Sequence, residues 1–146
     1  LPLSATAVTR RDLAGSGART VSEAALYAPN VVFTEFSARK LSNARFRGVG
    51  ASPANPAVTT FYDGVPQLNA NSSSIELLGV EQVELVRGPQ AALFGRNTVG
   101  GLVNITSVRP SLDAPVFDGR VTLGNYDLRD VRFDVSSPVN DAGTAG

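Results

Sequence analysis

The stretch VELVRGPQAALFGRNTVGGLVNITSVRP, residues 83–110, holds the residue types and spacings most suggestive of chemistry in this chain. Gly88, Gly95, Gly100 and Gly101 stand between two runs of strand formers, with Arg87, Arg96 and the hydroxyl of Thr98 among them. Glycine-rich turns that lead into a helix expose backbone N–H groups, and such groups cradle phosphates. A nucleotide site is therefore the first chemistry to test. A Walker loop needs a lysine and a hydroxyl directly after its last glycine, but Gly100-Gly101 is followed by Leu102 and Val103. A dinucleotide fingerprint needs G-x-G-x-x-G between strand and helix; Gly88-Pro89-Gln90 does not supply it, and Pro89 removes an amide donor. The glycines read instead as backbone permissions for sharp reversals between closely packed elements.

Other chemistries are narrower still. The chain contains no histidine and no cysteine, which removes the usual general base, the commonest metal ligands and any disulfide. Asp63, Glu81 and Glu84 show no spacing that pairs two carboxylates for acid–base work, so neither catalysis nor a metal or cofactor site is expected. The formal net charge is zero, against binding of nucleic acid through phosphate neutralisation. The charge is uneven, however. Residues 1–110 carry ten basic and seven acidic groups, and residues 111–146 carry three basic and six acidic, all six aspartate. That shift marks a boundary just after Pro110. The 146 residues are enough for one modest core, and no run approaches the ~18 apolar residues of a membrane helix. The chain starts at Leu1 rather than Met and reads as a fragment of something longer.

The elements that must position these residues are short. Ala7-Val8-Thr9 begins as strand and passes into a short helix. Thr20 stands three residues before Glu23, a capping-box spacing, and the helix it opens ends at Ala28-Pro29-Asn30. VVFTEFS (31–37) and NARFRGVG (43–50) read as strands. Asp63-Gly64 is a turn between extended arms. SSSIELLG (72–79) reads as a short serine-capped helix. VEQVELVRG (80–88) is a strand, PQAALFG a helix of one or two turns with Pro89 at its first position, and GLVNITSV (101–108) a buried strand. The fold class expected is α+β: a mixed sheet of short strands, short helices and long loops.

Beyond Val116 the pattern changes to two alternating runs around Gly124-Asn125-Tyr126-Asp127, with Val131, Phe133 and Val135 on one side and Arg132, Asp134 and Ser136 on the other. Two readings fit. One is an outer-membrane barrel hairpin, apolar to lipid and polar to the lumen. The other, favoured by pattern alone, is an ordinary half-buried antiparallel sheet.

The residues of the first segment resemble a known family. VELVRGPQAALFG, then GGLVNI at 100–105 and Arg109-Pro110, is similar to the pattern IEVLRGPxSxLYGxxxxGGxINIxTKRP of the plug domain of TonB-dependent outer-membrane receptors. PNVVF (29–33), FRGVG (46–50), YDGVP (62–66) and VTRRDLAGSGARTVSEAALYAPNV at the N-terminus match further motifs of that family in order. Asn30 replaces a glycine, Phe94 a tyrosine and Val108 a lysine of the family pattern; asparagine tolerates positive φ, so the turn at 30 should survive.

The resemblance implies a plug domain over residues 1–110, with 111–146 as the truncated first strands of a 22-stranded barrel, which turns the hairpin reading toward the barrel strand. It implies the outer membrane of a Gram-negative bacterium, the plug inside the lumen of its own β-barrel, and gating of the import of a scarce nutrient, typically a ferric siderophore. TonB would engage a segment upstream of Leu1. Arg47 and Arg87 match the arginines that latch the plug to barrel glutamates, although both could instead satisfy carbonyls inside the plug. Ligand contacts fall on outward loops: Phe36, Arg39 and Lys40 in the first, Asn55 in the second, and Gln67, Asn69 and Asn71 in the third. Glu84 is expected to pair with an arginine or an amide. The alternative is a free-standing periplasmic ligand-binding or interaction domain with a plug-like fold.

Overall fold

A run such as Val80–Arg87, apolar at alternate positions, buries one face of a strand and needs neighbours on both edges to satisfy its backbone. The computed structural model describes residues 4–35, 42–50, 56–67 and 75–138. It divides into two units, Leu1–Ser107 and Val108–Gly146. In the first, β1 (Ser4–Thr9) runs into α1 (Arg10–Ser16), then α2 (Val21–Ala24) with a 3-10 turn at Ala25–Tyr27. Next come β2 (Val31–Glu35), β3 (Ser42–Phe46), β4 (Val58–Tyr62), β5 (Val65–Gln67), β6 (Val80–Arg87), α3 (Ala91–Phe94) and β7 (Gly101–Ser107). β1, β6, β7, β4 and β5 lie side by side in that order, with β2 and β3 as a separate antiparallel pair. The five-stranded sheet is mixed, since β4 and β7 are parallel and its other pairs antiparallel. The α+β class with short strands and short helices is thus present.

The registers align side chains in rows across the sheet. Val8–Val83–Ile105–Tyr62 and Thr6–Leu85–Val103–Thr60 lie on one face, and Ser4–Arg87–Gly101–Val58 closes the same face at its end. This face carries the core, completed by Leu13, Val21, Ala24, Ala25 and Phe46. The opposite face carries Glu84 beside Asn104 and is covered at one end by the loop after β6. There the rings of Phe61 and Phe94 meet edge to face at 5.2 Å and the Thr59 hydroxyl donates to the Asn97 carbonyl at 2.9 Å.

Local capping follows the sequence closely, with one shift. Thr9 and Asp12 form a full reciprocal capping box at the start of α1, a pair missed by the sequence reading. At α2 the Thr20 hydroxyl accepts from the Glu23 N–H at 3.3 Å, but the Glu23 carboxylate accepts from the Arg19 N–H, one residue earlier than the box requires.

Three expectations are corrected. The described part of 72–79, Ile75–Gly79, is not helical. The Leu77 N–H donates to the Arg19 carbonyl at 2.8 Å and the Val21 N–H to the Ile75 carbonyl at 3.2 Å, because a single helical turn does not repay its nucleation while a waiting backbone does. Ser72–Ser74 lie outside the described residues. Pro89 is not the first helical residue: α3 begins at Ala91, with Gln90 as its cap in a non-helical conformation (φ −122°, ψ 14°) and its N–H donating to the Thr98 carbonyl at 2.9 Å. The strand expected over 43–50 stops at Phe46, because Arg47 and Gly48 both take positive φ (53° and 79°) and fold the chain so that Phe46 and Val49 exchange hydrogen bonds.

In the second unit, β8 (Val116–Gly124) pairs with β9 (Leu128–Ser136). The register puts Phe117, Gly119, Val121 and Leu123 on one face with Val135, Phe133, Val131 and Arg129. The large apolar members of that face are exposed, from 62% for Val135 to 75% for Leu123.

Two outcomes follow. A Cβ at Gly101, whose φ is +143°, would meet the Val86 carbonyl at 2.2 Å and the Phe46 ring at 2.7 Å. Gly101→Ala is expected to destabilise the first unit by about 3 kcal/mol in urea unfolding, whereas Gly95→Ala, with open space around its Cβ, costs only its positive-φ strain. The Asp63 carboxylate accepts the Ser107 N–H at 2.8 Å, and that backbone bond, then a side-chain one, holds its pKa below the usual 3.8. A depressed carboxylate adds stability above its unfolded pKa and loses it as pH falls through the folded value. Asp63→Asn is therefore expected to lose stability at neutral pH and to show a shallower decline below about pH 4 in acid titrations followed by circular dichroism.

Candidate functional site

The glycine loop can be judged first by where its amides point. The Gly88 N–H donates to the Gly100 carbonyl at 3.0 Å, Gln90 to Thr98 at 2.9 Å, and Gly100 to Ala57 at 2.8 Å. The Thr98 hydroxyl, fully buried, donates to the Gly95 carbonyl at 2.7 Å. The donors a phosphate would need are spent on carbonyls of the loop and of Ala57. Gly88, Gly95 and Gly101 all hold positive φ, the backbone conformations for which glycine is suited. Among the described residues no group of three His, Cys, Asp or Glu side chains could hold a metal ion.

The two arginines singled out from the sequence occupy different environments. Arg87, at the last position of β6, is 5% exposed. Its Nη1 donates to the Pro29 carbonyl at 2.6 Å, its Nη2 to the Thr6 hydroxyl at 2.8 Å, and its Nε to the Ser4 carbonyl at 3.4 Å. A buried guanidinium needs such acceptors, and all three come from the first 29 residues. Arg47 is exposed at the turn after β3. Its backbone N–H donates to the Asn30 carbonyl at 2.8 Å, and Asn30 takes φ 61°, the turn at that asparagine surviving as expected. Arg87 and Arg47 thus grip successive carbonyls, Pro29 and Asn30, of one turn.

Glu84 finds amides. Its Oε2 accepts from the Asn104 side chain at 2.9 Å and its Oε1 from Gln82 at 3.1 Å.

Of the loop candidates, Gln67 is described. It closes β5, half-buried, and its Nε2 donates to the Val65 carbonyl at 3.3 Å. Phe36, Arg39, Lys40, Asn55, Asn69 and Asn71 lie outside the described residues. The topology brings the roots of two of their segments together. Ser4, Arg87, Gly101, Val58 and Gln67 all stand at one end of the five-stranded sheet, so the segments before β4 and after β5 leave from that end. The base of the β2–β3 pair is there too, since Phe46 packs over Gly101. The Asp63-Gly64 turn and α1 are at the opposite end. The partners of Arg87 escaped the sequence reading because Thr6 and Pro29 lie 81 and 58 residues away, beyond any periodic signal.

Comparison with known proteins gives one family. The family model described as TonB-dependent Receptor Plug Domain matches residues 1–102. The pesticin receptor of Yersinia pestis is 32% identical over 142 residues, which cover 95% of this chain and 21% of that receptor. The ferrioxamine B receptor of Salmonella typhimurium is 31% identical, over 96% of this chain and 20% of its own. Among solved structures, the ferric yersiniabactin uptake receptor of Yersinia pestis superposes with a TM-score of 0.83 at 30% identity, covering 95% of this chain and 22% of that one. The chain therefore spans about a fifth of the length of the relatives it matches.

The two arginines should separate on mutation. Arg87→Gln leaves buried acceptors unpaired and is expected to lower the stability of the first unit by about 3 kcal/mol, whereas Arg47→Gln should change it by no more than about 0.5 kcal/mol. Urea unfolding of the two variants beside the parent chain checks this; equal losses would contradict the assignment of Arg87 to the interior.

Proposed function

This chain belongs to the TonB-dependent receptor plug domain family, and on that footing we propose that it is the gate of an outer-membrane active transporter. In this reading residues 1–110 fill the lumen of a 22-stranded barrel and residues 111–146 open the barrel wall. The gate closes the channel until TonB, engaging a segment upstream of Leu1, pulls from the periplasm. No bond of the cargo is made or broken. The cargo is a ferric siderophore, the class to which the yersiniabactin and ferrioxamine relatives point by name.

The observation that carries this reading is the family match over residues 1–102, together with the hairpin that follows. A hairpin with one face of Phe, Val and Leu left exposed suits a wall strand whose apolar side meets lipid, and a lone hairpin of this kind is marginal in water. A free-standing periplasmic domain would have no use for such a face.

The arginines fit the gate in two ways. Arg47, exposed at the turn, is free to meet a wall glutamate, where a planar guanidinium and a carboxylate bind strongly and reversibly. Arg87 has committed three N–H groups to the plug and retains two of its five for a second wall carboxylate. The segments bearing Asn55 and bearing Gln67, Asn69 and Asn71 share one end of the sheet at their roots, and Phe36, Arg39 and Lys40 belong to the segment joining β2 and β3, the pair whose base is seated at that same end; this suits a single ligand contacted by several loops.

The test is ligand titration of the full-length receptor in detergent, following intrinsic fluorescence, against ferric siderophores, haem, cobalamin and oligosaccharides. Saturable sub-micromolar binding of one ferric siderophore class, weakened at least about tenfold by Arg39→Ala, Lys40→Ala or Asn71→Ala, is the expected result. A folded receptor that binds none of them overturns the import reading.

A further inference from the structure

Asn30 stands where the family pattern has glycine, and it falls at a turn held by a buried arginine. Pro29 and Asn30 are the turn residues between the 3-10 segment and β2. Proline keeps φ negative, and Asn30 takes φ 61°. A negative φ followed by a positive one marks a type II turn. Type I differs from it by rotation of the one peptide between the two residues, which returns the second to negative φ. Glycine makes positive φ free of cost, whereas asparagine tolerates it at some strain. Asparagine therefore leaves the two turn forms close in energy. The group that distinguishes them is the carbonyl of the rotating peptide, that of Pro29, and Arg87 Nη1 donates to it at 2.6 Å. The chain on either side is anchored. The Ala28 N–H donates to the Ala25 carbonyl, the Asn30 carbonyl accepts from the Arg47 N–H, and Val31 pairs with the fully buried Phe46. The middle peptide can rotate between these fixed ends without moving them.

We propose that the Pro29–Asn30 peptide is a two-state switch locked by Arg87, with Asn30 as the residue that keeps it switchable. In the locked form the Pro29 carbonyl and the guanidinium hold each other. Rotated, the carbonyl turns away and leaves the guanidinium with the Ser4 carbonyl and the Thr6 hydroxyl alone. The coupling is reciprocal: whatever draws Arg87 off the turn frees the peptide to rotate, and whatever rotates the peptide loosens Arg87. A glycine at position 30 would hold the turn whatever Arg87 does, and so would uncouple the two. Within the gate reading, on which this consequence rests, a wall carboxylate and the Pro29 carbonyl compete for one guanidinium. The form of the turn then decides whether Arg87 is held by the plug or offered to the wall.

The switch is read by nuclear magnetic resonance in the isotopically labelled 146-residue chain. Neither barrel nor cargo is needed, so its failure leaves the gate reading standing, and failure of the gate leaves the switch. The type II form brings the Pro29 Hα close to the Asn30 N–H and type I does not, so the cross-peak between them reports the turn. It should be strong in the parent chain and weakened at least about threefold by Arg87→Met, which removes the donor. Adding Asn30→Gly to Arg87→Met should restore it, which a general loss of stability would not allow. Asn30→Val, on the exposed turn and unfavourable at positive φ, should weaken the cross-peak with Arg87 in place. It should also speed exchange of the Arg87 guanidinium protons about tenfold. The Asp63 N–H, which donates to the Ile105 carbonyl at the opposite end of the sheet, should keep its protection in that variant. Should Arg87→Met not fold, the two Asn30 variants decide alone, since Asn30→Gly must slow guanidinium exchange where Asn30→Val speeds it. A turn that keeps its form in Arg87→Met, no restoration by Asn30→Gly, or guanidinium exchange indifferent to residue 30 overturns the proposal.

Discussion

The first unit depends on one close approach. At Gly101 the backbone of β7 passes so near the Val86 carbonyl and the Phe46 ring that no side chain fits. That contact seats the fully buried Phe46, and so the β2–β3 pair, on the end of the five-stranded sheet. It also puts β7 in register with both β6 and the parallel strand β4. Parallel strands cannot be joined by a tight turn, and the 38 residues between Tyr62 and Gly101 are spent on β5, β6 and the glycine loop.

Around that contact the polar groups are arranged by the same economy. Arg87 closes the core face at the end of the sheet where apolar side chains give out, and its donors reach the carbonyls of Ser4 and Pro29 and the hydroxyl of Thr6. On the other face Glu84 is satisfied by two neutral amides. The amides of the glycine loop are satisfied by carbonyls of the loop and by that of Ala57, which is why a sequence that looks receptive to phosphate offers it no donors.

Most of the strands were legible in the sequence because alternation leaves a mark: Val80–Arg87, Gly101–Ser107 and the arms around Asp63-Gly64 stand where the pattern puts them. The ends were less so. Ile75–Gly79 has the composition of a helix, and only the free backbone of Arg19 and Val21, more than fifty residues away, makes it extended. The end of the strand at Phe46 is set by positive φ at Arg47, a non-glycine residue whose type gives no warning. At the candidate site the motif RGP announces Arg87 as a residue of consequence, but its environment is a matter of register between β1 and β6. The loop candidates rest on family position alone, and of them only Gln67 is among the described residues.

The pairing of β1 with β6 also bears on how the chain is made. The acceptor at Ser4 and its donor at Arg87 are 83 residues apart, so the earliest strand of this sheet is completed only when most of the unit has emerged. Such a high-separation contact pays its loop-closure entropy late. In the interval the first strand must persist unpaired without adhering to its neighbours, and its serine, threonines and alanines make it the least sticky of the core strands. A composition that buries little in the finished sheet is also one that keeps a nascent chain soluble while it waits for its partner.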